Sequence, residues 1–464
     1  MEPADSILGP HHPVERRTLM AIVAGGLLAM APLRAIVRLA APTTLVMLVA
    51  AASNVLYTYF VSRLGAEALA AVSLVFPISL LAITAMGGGL GSGVSSAVAR
   101  AIGAGRRTEA IAIGEQALTL AAVFGIGFAL AILLGAPAIF SVMGGRGGVL
   151  DKATLFARVL FGGAAITFVV SMLDSVLRGE GNVRVPAIWS STSLTLQMAL
   201  TPLFMFAGGL GLVVAPLATL TGQLLAGIPR ARYVFGGGSV VRLSPRPRAP
   251  AWGPAREILR VGVPVSLATT LSQIGIMVLT GVVARLGEAH LAAYGLGTRL
   301  DFLLLSFGFG VGTALLTLVG MATGARRPEQ VSAYVVRAGA IVVALLAVPG
   351  ALLAWRPSLW LGLFTTDPGI HAVGTQYLRI IGPSYPFMGL AMVVSFAFQG
   401  IGRATAPLVW MAVRVAAVVG TSLVCTQWLG MADRAVFMAV AAGNVLSSLV
   451  MVALFAHVHR AAVV

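Results

Sequence analysis

The sequence predicts an all-α integral membrane protein of twelve transmembrane helices, built as two pseudo-symmetric six-helix lobes. Three observations predict it. Of 464 residues, 58% are apolar and only 10% charged, with mean hydropathy +0.96; soluble domains run at about 45–50% and about 25%. Gly, Pro and Arg divide the chain into uncharged runs such as 159–173 and 338–354, which approach the roughly 20 residues a helix needs to cross lipid. The ten-residue alternating segments of a membrane β-barrel are missing. Finally, the chain is written twice.

The hydrophobic segments in order are 35–62, 68–101, 110–137, 153–177, 186–206, 211–232, 258–284, 289–323, 331–355, 371–399, 405–426 and 432–459. Segments 68–101 and 289–323 exceed one straight crossing and are expected to tilt or project beyond the hydrocarbon. An even number places both termini on one side. With that side taken as cytoplasmic, 21 basic residues fall there and 8 on the other, the asymmetry expected of a multi-pass protein of the cell (inner) membrane. The net charge of +16 therefore reports topology, and no nucleic-acid partner is expected. Arg16-Arg17 followed by apolar 19–28 and Ala29-Met30-Ala31 mimics a signal peptide; the reading here is a short interfacial helix within a cytoplasmic segment 1–34.

The duplication rests on three echoes. The run from Arg63-Leu64-Gly65 to Leu69-Ala70-Ala71 recurs as Arg285-Leu286-Gly287 to Leu291-Ala292-Ala293, at an offset of 222. Gly103-Ala104-Gly105-Arg106-Arg107 returns as Gly324-Ala325-Arg326-Arg327, and Gly179, Gly181, Pro186 and Trp189 return as Gly400, Gly402, Pro407 and Trp410. Six crossings per copy keep both copies in one orientation, as parallel repeats about an axis along the membrane normal. The expected lobes are 35–232 and 258–459. The linker 233–257 carries Pro245-Arg246-Pro247-Arg248, a poor helix or strand former, and reads as a flexible strap. Two lobes on a strap suit rocking, alternating-access transport; the competing reading is a static scaffold.

Enzyme chemistry has no support. P-loop, HExxH and GxSxG motifs are absent from the sequence, and the single Cys425 allows neither a disulfide framework nor a CxxC metal site. No cofactor is expected beyond a H+ or Na+ gradient. Coupling to such a gradient calls for a group that binds the ion in one state and releases it in another, in lipid most often a carboxylate. Of the 15 acidic residues, Asp301 alone lies well inside a predicted crossing. Arg299 and Arg414, inside predicted helices, are the only basic residues left after those assigned to the two sides, so Asp301 is either a coupling group or half of a static ion pair. Asp174, near the end of the fourth segment and within reach of Arg178, and Glu115, near the start of the third, read as structural charges. Asn54 and Thr58 share a helical face and offer a polar cluster with Gln197, Thr201 and Thr219; the bland alternative is interhelical hydrogen bonding worth about 0.6 kcal/mol per contact. Gly87 to Gly93, Gly308, Gly310 and Gly312 suit close packing or bending, and Pro42 and Pro202 remove helix hydrogen bonds.

Pro42 … Val61-Ser62-Arg63-Leu64-Gly65 … Leu69-Ala70-Ala71-Val72, then Ile102-Gly103-Ala104-Gly105, resembles the first third of multidrug and toxic compound extrusion (MATE) transporters. Arg178-Gly179-Glu180-Gly181 … Pro186 and Pro202 … Gly209-Leu210-Gly211 … Ala218-Thr219 are similar to the rest of their first lobe, and Arg299-Leu300-Asp301 is similar to the DinF-like branch. The resemblance implies a V-shaped pair of lobes; a monomer is expected because the duplication supplies both. It also implies that the protein, with membrane lipids around it, exports small organic, often cationic or amphipathic compounds in exchange for H+ or Na+. A MATE-related flippase of a lipid-linked saccharide is the alternative. The pattern is broken at the usual acids: Tyr57 and Thr58 stand at the first-helix aspartate position, Gln197 to Thr201-Pro202 replaces an Asn-x-x-x-Asp-Pro pattern, and Ser272 or Gln273 falls where another branch carries an acid. Thr219 is retained. Neutral groups can orient a ligand or coordinate sodium, but they cannot release a proton near pH 7.

Overall fold

The computed structural model describes residues 25–207, 211–244, 251–427 and 434–463. Twelve helical spans follow one another: α1 Pro32–Ser62, α2 Ala66–Gly103, α3 Arg107–Val142, α4 Gly147–Gly162 with Ala164–Gly179, α5 Arg184–Pro202, α6 Gly211–Gly236, α7 Trp252–Ala284, α8 Glu288–Gly324, α9 Pro328–Trp355, α10 Pro368–Gly400, α11 Thr405–Gln427 and α12 Arg434–Val463. Ten are each long and apolar enough to cross a bilayer, and α4, bent by 45° at Gly163, makes an eleventh. The twelfth, α5, is the most polar because Ser190, Ser191, Thr192, Ser193, Thr195 and Gln197 fall on it. Pro202, which has no N–H to give, marks the point where α5 passes into a π turn, Leu203–Ala207. Pro42 lies inside the continuous α1. The Arg16-Arg17 segment lies outside the described residues; 25–29 is helical, with Leu27 and Leu28 buried.

The halves exchange their first helices. α1 packs on α8, and α7 packs on α2, while each also packs on the fifth helix of its own half, α5 and α11 respectively. Glycines set the approach. A Cβ on Gly89 of α2 would stand 1.8 Å from Ser266 Oγ of α7, and one on Gly310 of α8 would stand 2.0 Å from Thr44 Oγ1 of α1. These contacts occupy matching positions of the two repeats, so the glycine runs act in packing, where only a missing side chain lets the backbones meet. α2 also contains a π segment, Thr84–Leu90.

Connections on one face hold Arg100, Arg106, Arg178, Arg326 and Arg403; it is called here the arginine-rich face. The halves touch there. A Cβ on Gly103 would meet Met321 O at 2.1 Å, and one on Gly324 would meet Arg100 O at 2.1 Å, again matching positions. Arg100 forms an ion pair with Glu257 of α7 at 3.0 Å. Thr317 Oγ1 donates to Arg178 O at 3.0 Å, and Ser96 Oγ donates to Gln399 O. Among the described residues, every side-chain hydrogen bond or ion pair between halves lies from mid-depth to this face; none joins them at the opposite face.

One turn departs from its copy. Gly105 has φ +71, and the matching Arg326 has φ +57, the only non-glycine with positive φ among the described residues. A left-handed L-residue costs roughly 1–2 kcal/mol, partly offset by the backbone entropy a glycine would lose. Arg326→Gly is therefore expected to raise the denaturation midpoint in detergent by up to about 1 kcal/mol of stability; an unchanged or lowered midpoint would mean that the arginine side chain compensates its own strain.

The linker is no loose strap where it is described. α6 runs on to Gly236, and 237–244 lies against the first half. Buried Glu180 accepts from Ser239 Oγ at 2.7 Å and from the Val241 amide at 3.1 Å. Glu115 accepts from Ser244 N at 3.2 Å and Gln116 from Ala251 N at 2.9 Å, while Leu243 is buried beside Gly114. Glu115, read from the sequence as a structural charge near the start of the third segment, thus holds the strap two turns inside α3. Pro245 to Arg248 lie outside the described residues.

Burial pushes the Glu180 carboxyl up to about 7 from its ordinary 4.5, against the downward pull of Ser239 and Val241. A raised carboxylate contributes stability that is complete below the unfolded value and is lost as pH climbs through the folded one. Protection of the Val241 amide from hydrogen exchange, corrected for intrinsic rate, is expected to fall between about pH 5 and about pH 8, and to stay level in Glu180→Gln. Level protection in the unaltered protein would refute the coupling.

Candidate functional site

Asp301 lies in the fourth turn of α8, the most buried span, 61% of whose apolar window is enclosed. Its carboxylate accepts from Tyr377 Oη at 2.9 Å through Oδ2 and from Tyr385 Oη at 2.7 Å through Oδ1. Both tyrosines come from α10. The 3-10 turn Gly382–Ser384 separates them and re-phases the helix, so rings eight residues apart converge on one acid. Gly297, one turn before Asp301, leaves room for Tyr377: a Cβ there would stand 2.2 Å from its ring. Tyr294 packs edge-on against Tyr377 at 6.0 Å.

The ion pair weighed for Asp301 is not formed. Among the described residues no arginine lies within 4 Å of it. Arg299, two residues away on a helix, points elsewhere and is exposed, because neighbours two apart do not share a face. Arg414 of α11 turns to Asn444 of α12, its Nη2 donating to Oδ1 at 2.6 Å, and Asn444 Nδ2 donates on to Ser384 Oγ at 2.9 Å. Sequence reasoning missed Tyr377, Tyr385, Ser384 and Asn444. Gly297-x-x-x-Asp301 was the available signal, a gap one turn before an acid.

The first-half cluster is not joined by side-chain hydrogen bonds. Thr58 Oγ1 donates to Asn54 O at 2.9 Å, Thr201 to Gln197 O at 2.7 Å and Thr219 to Ala215 O at 3.1 Å. Each hydroxyl serves its own helix, as threonine commonly does mid-helix. Asn54 and Thr58 are exposed, Tyr57, Gln197 and Thr219 half-buried, and Thr201 buried. Gln273 on α7 is half-buried without a side-chain hydrogen bond among the described residues.

Asp174 is buried, and its partner is Arg230, not Arg178. Arg230 Nε lies 3.0 Å from Oδ1, Ser190 Oγ donates to Oδ2 at 3.2 Å, and Arg230 Nη2 donates to Ser190 at 2.7 Å. Arg178 donates to Ser175 instead. A cleft of about 660 Å³ on the arginine-rich face, lined by Arg100, Arg106 and Arg326 among others, belongs to the seam between halves; its α8 residues Thr323 and Gly324 lie about six turns beyond Asp301.

A duplicated, polytopic helical bundle whose halves meet at one face and whose second half holds an acid inside a span fits a membrane transporter. The MatE family model matches residues 42–203 and 264–426, once in each half. The chain belongs to the MatE family, whose members are transporters and not enzymes. It is similar to the FAD transporter of Shewanella oneidensis, 24% identical over 76% of this chain and 78% of that one. The multidrug export protein MepA of Staphylococcus aureus is 24% identical over 76% and 77%. Among solved structures, a Pyrococcus furiosus MOP-superfamily transporter, described as having a binding pocket of reverse polarity, superposes with a TM-score of 0.88 at 28% identity, covering 94% of this chain and 98% of that one. An outward-facing multidrug resistance MATE transporter gives the same values.

Proposed function

We propose that this chain is a secondary active exporter that exchanges H+ or Na+ for a small organic, cationic or amphipathic compound, with Asp301 as the coupling carboxylate. The observation that carries the reading is Asp301 itself, an acid inside a span whose hydrogen-bond partners are two neutral hydroxyls. A carboxylate held this way keeps its net charge for a visiting cation, whereas one paired to arginine has none to offer. In this reading the neutral side chains Asn54, Tyr57, Thr58, Gln197, Thr219 and Gln273 orient ligand without binding a proton, whereas Thr201, buried and bonded to its own helix, does not reach it.

In this reading the lobes are those expected, 35–232 and 258–459, with α6 running on to Gly236 and α7 beginning earlier, at Trp252; the protein acts as a monomer in the cell membrane, and the arginine-rich face and both termini are cytoplasmic. The contact at that face closes the cytoplasmic side, so the cavity between lobes opens outward. Multidrug relatives and the outward-facing match support this; the lipid-linked saccharide flippase finds no support among them. The test is proteoliposomes loaded with a cationic dye, with H+ and Na+ gradients imposed in turn. Gradient-driven efflux is expected; efflux indifferent to both gradients would end the antiporter reading.

A further inference from the structure

The exporter mechanism leaves Arg414 unused. It sits near the middle of α11, half-buried, with Gly443 of α12 beneath it: a Cβ there would be 3.7 Å from Nε. One amino group is fixed by Asn444, itself 2% exposed and anchored to Ser384, 3% exposed. The other amino group has only the Met411 sulfur, 4.0 Å away, and Nε is buried without a hydrogen-bond partner. No carboxylate lies within 4 Å of the guanidinium among the described residues. At the matching positions of the first half stand Ser193, Gly222 and Gln223, so the shared scaffold assembles without a charge here.

A guanidinium keeps its charge under all ordinary conditions, and an uncompensated charge at mid-membrane is costly and marks function by default. Asn444 and Met411 satisfy geometry, not charge. The missing component is an anion, and Arg414 lies nine residues into α11, about 13 Å along the helix axis.

We propose that Arg414, oriented by Asn444, is an anion-accepting subsite in the second lobe that selects substrates carrying a carboxylate or phosphate. The proposal rests on the exporter reading but concerns which molecules are accepted, not which ion drives them. With Asp301 in the same lobe, the preferred cargo is one that bears both signs.

The probes are rhodamine 110 and its methyl ester rhodamine 123, which differ by one carboxylate. Binding is read by fluorescence anisotropy in nanodiscs of zwitterionic lipid, and efflux in proteoliposomes. The unaltered protein is expected to bind the free acid about tenfold or more tightly than the ester, the effect of one charge-assisted contact. Arg414→Gln is expected to bring the two affinities together. Asn444→Asp gives the guanidinium an internal counterion and is expected to erase the preference while leaving the helix packing and the charge of residue 414 in place, which keeps the test valid should Arg414→Gln misfold. Equal affinities in the unaltered protein, or a preference that survives both substitutions, would overturn the proposal. Selective binding without gradient-driven efflux of either dye would sustain the subsite and reject the antiporter.

Discussion

Asp301→Asn is expected to abolish gradient-coupled efflux, reducing it to the level of empty vesicles and removing its dependence on pH and sodium. The amide is isosteric and can still meet the Tyr377 and Tyr385 hydroxyls, now 2.9 and 2.7 Å from the carboxylate, so the bundle is expected to assemble. What disappears is the charge and the group that titrates. Tyr385→Phe is the graded companion. It removes the shorter donor, a charge-assisted bond worth roughly 1.5–3 kcal/mol, and is expected to slow coupled efflux without abolishing it. Unchanged coupling in Asp301→Asn would make this acid a structural acceptor for two tyrosines, and the ion work would have to be sought elsewhere.

The second large effect concerns the seam. Gly103→Ala places a methyl group 2.1 Å from Met321 O, and Gly324→Ala places one 2.1 Å from Arg100 O. Both obstacles are backbone, and tolerable contacts begin above 3.0 Å, so α2 and α8 must part by about an ångström. Overpacking of this kind costs roughly 1–3 kcal/mol per site. That is enough to shift an equilibrium between a closed and an open arginine-rich face by one or two powers of ten. The readout is labelling of Ser96→Cys by a water-soluble thiol reagent, with Cys425 replaced by serine. Ser96 is fully buried and bonded to Gln399 O, so labelling is expected to be slow in the parent and at least about tenfold faster after either glycine change. The two substitutions are expected to act alike, because the contacts are copies of one another. Slow labelling in both, with transport unimpaired, would show that the seam does not gate.

Much of this protein is present in the order of its residues. A chain 58% apolar has to place its helices in lipid, and the echoes at 221–222 residues specify two equivalent halves before any packing is considered. The twelve spans follow, because the bilayer leaves backbone groups no partner outside a helix. The crossing of the halves is not legible in that order: Gly89, Gly310, Gly103 and Gly324 recur in register, but only the packing shows which helices they bring together. Asp301, by contrast, stands out for a one-dimensional reason, as an acid where the run admits no other.

What the sequence could not decide is who meets whom across helices. Arg299 is two residues from Asp301 yet faces away, and Tyr377 and Tyr385, more than seventy residues on, supply its donors. Asp174 lies one turn from Arg178 but pairs with Arg230. The strap composition suggests freedom, and the tertiary fold pins it to Glu180 and Glu115. The physical reason is common to all. Lipid and hydrogen-bond geometry fix the helix as a local object, whereas the partner of a buried polar group is set by the rotation and depth of neighbouring helices, which only their joint packing determines.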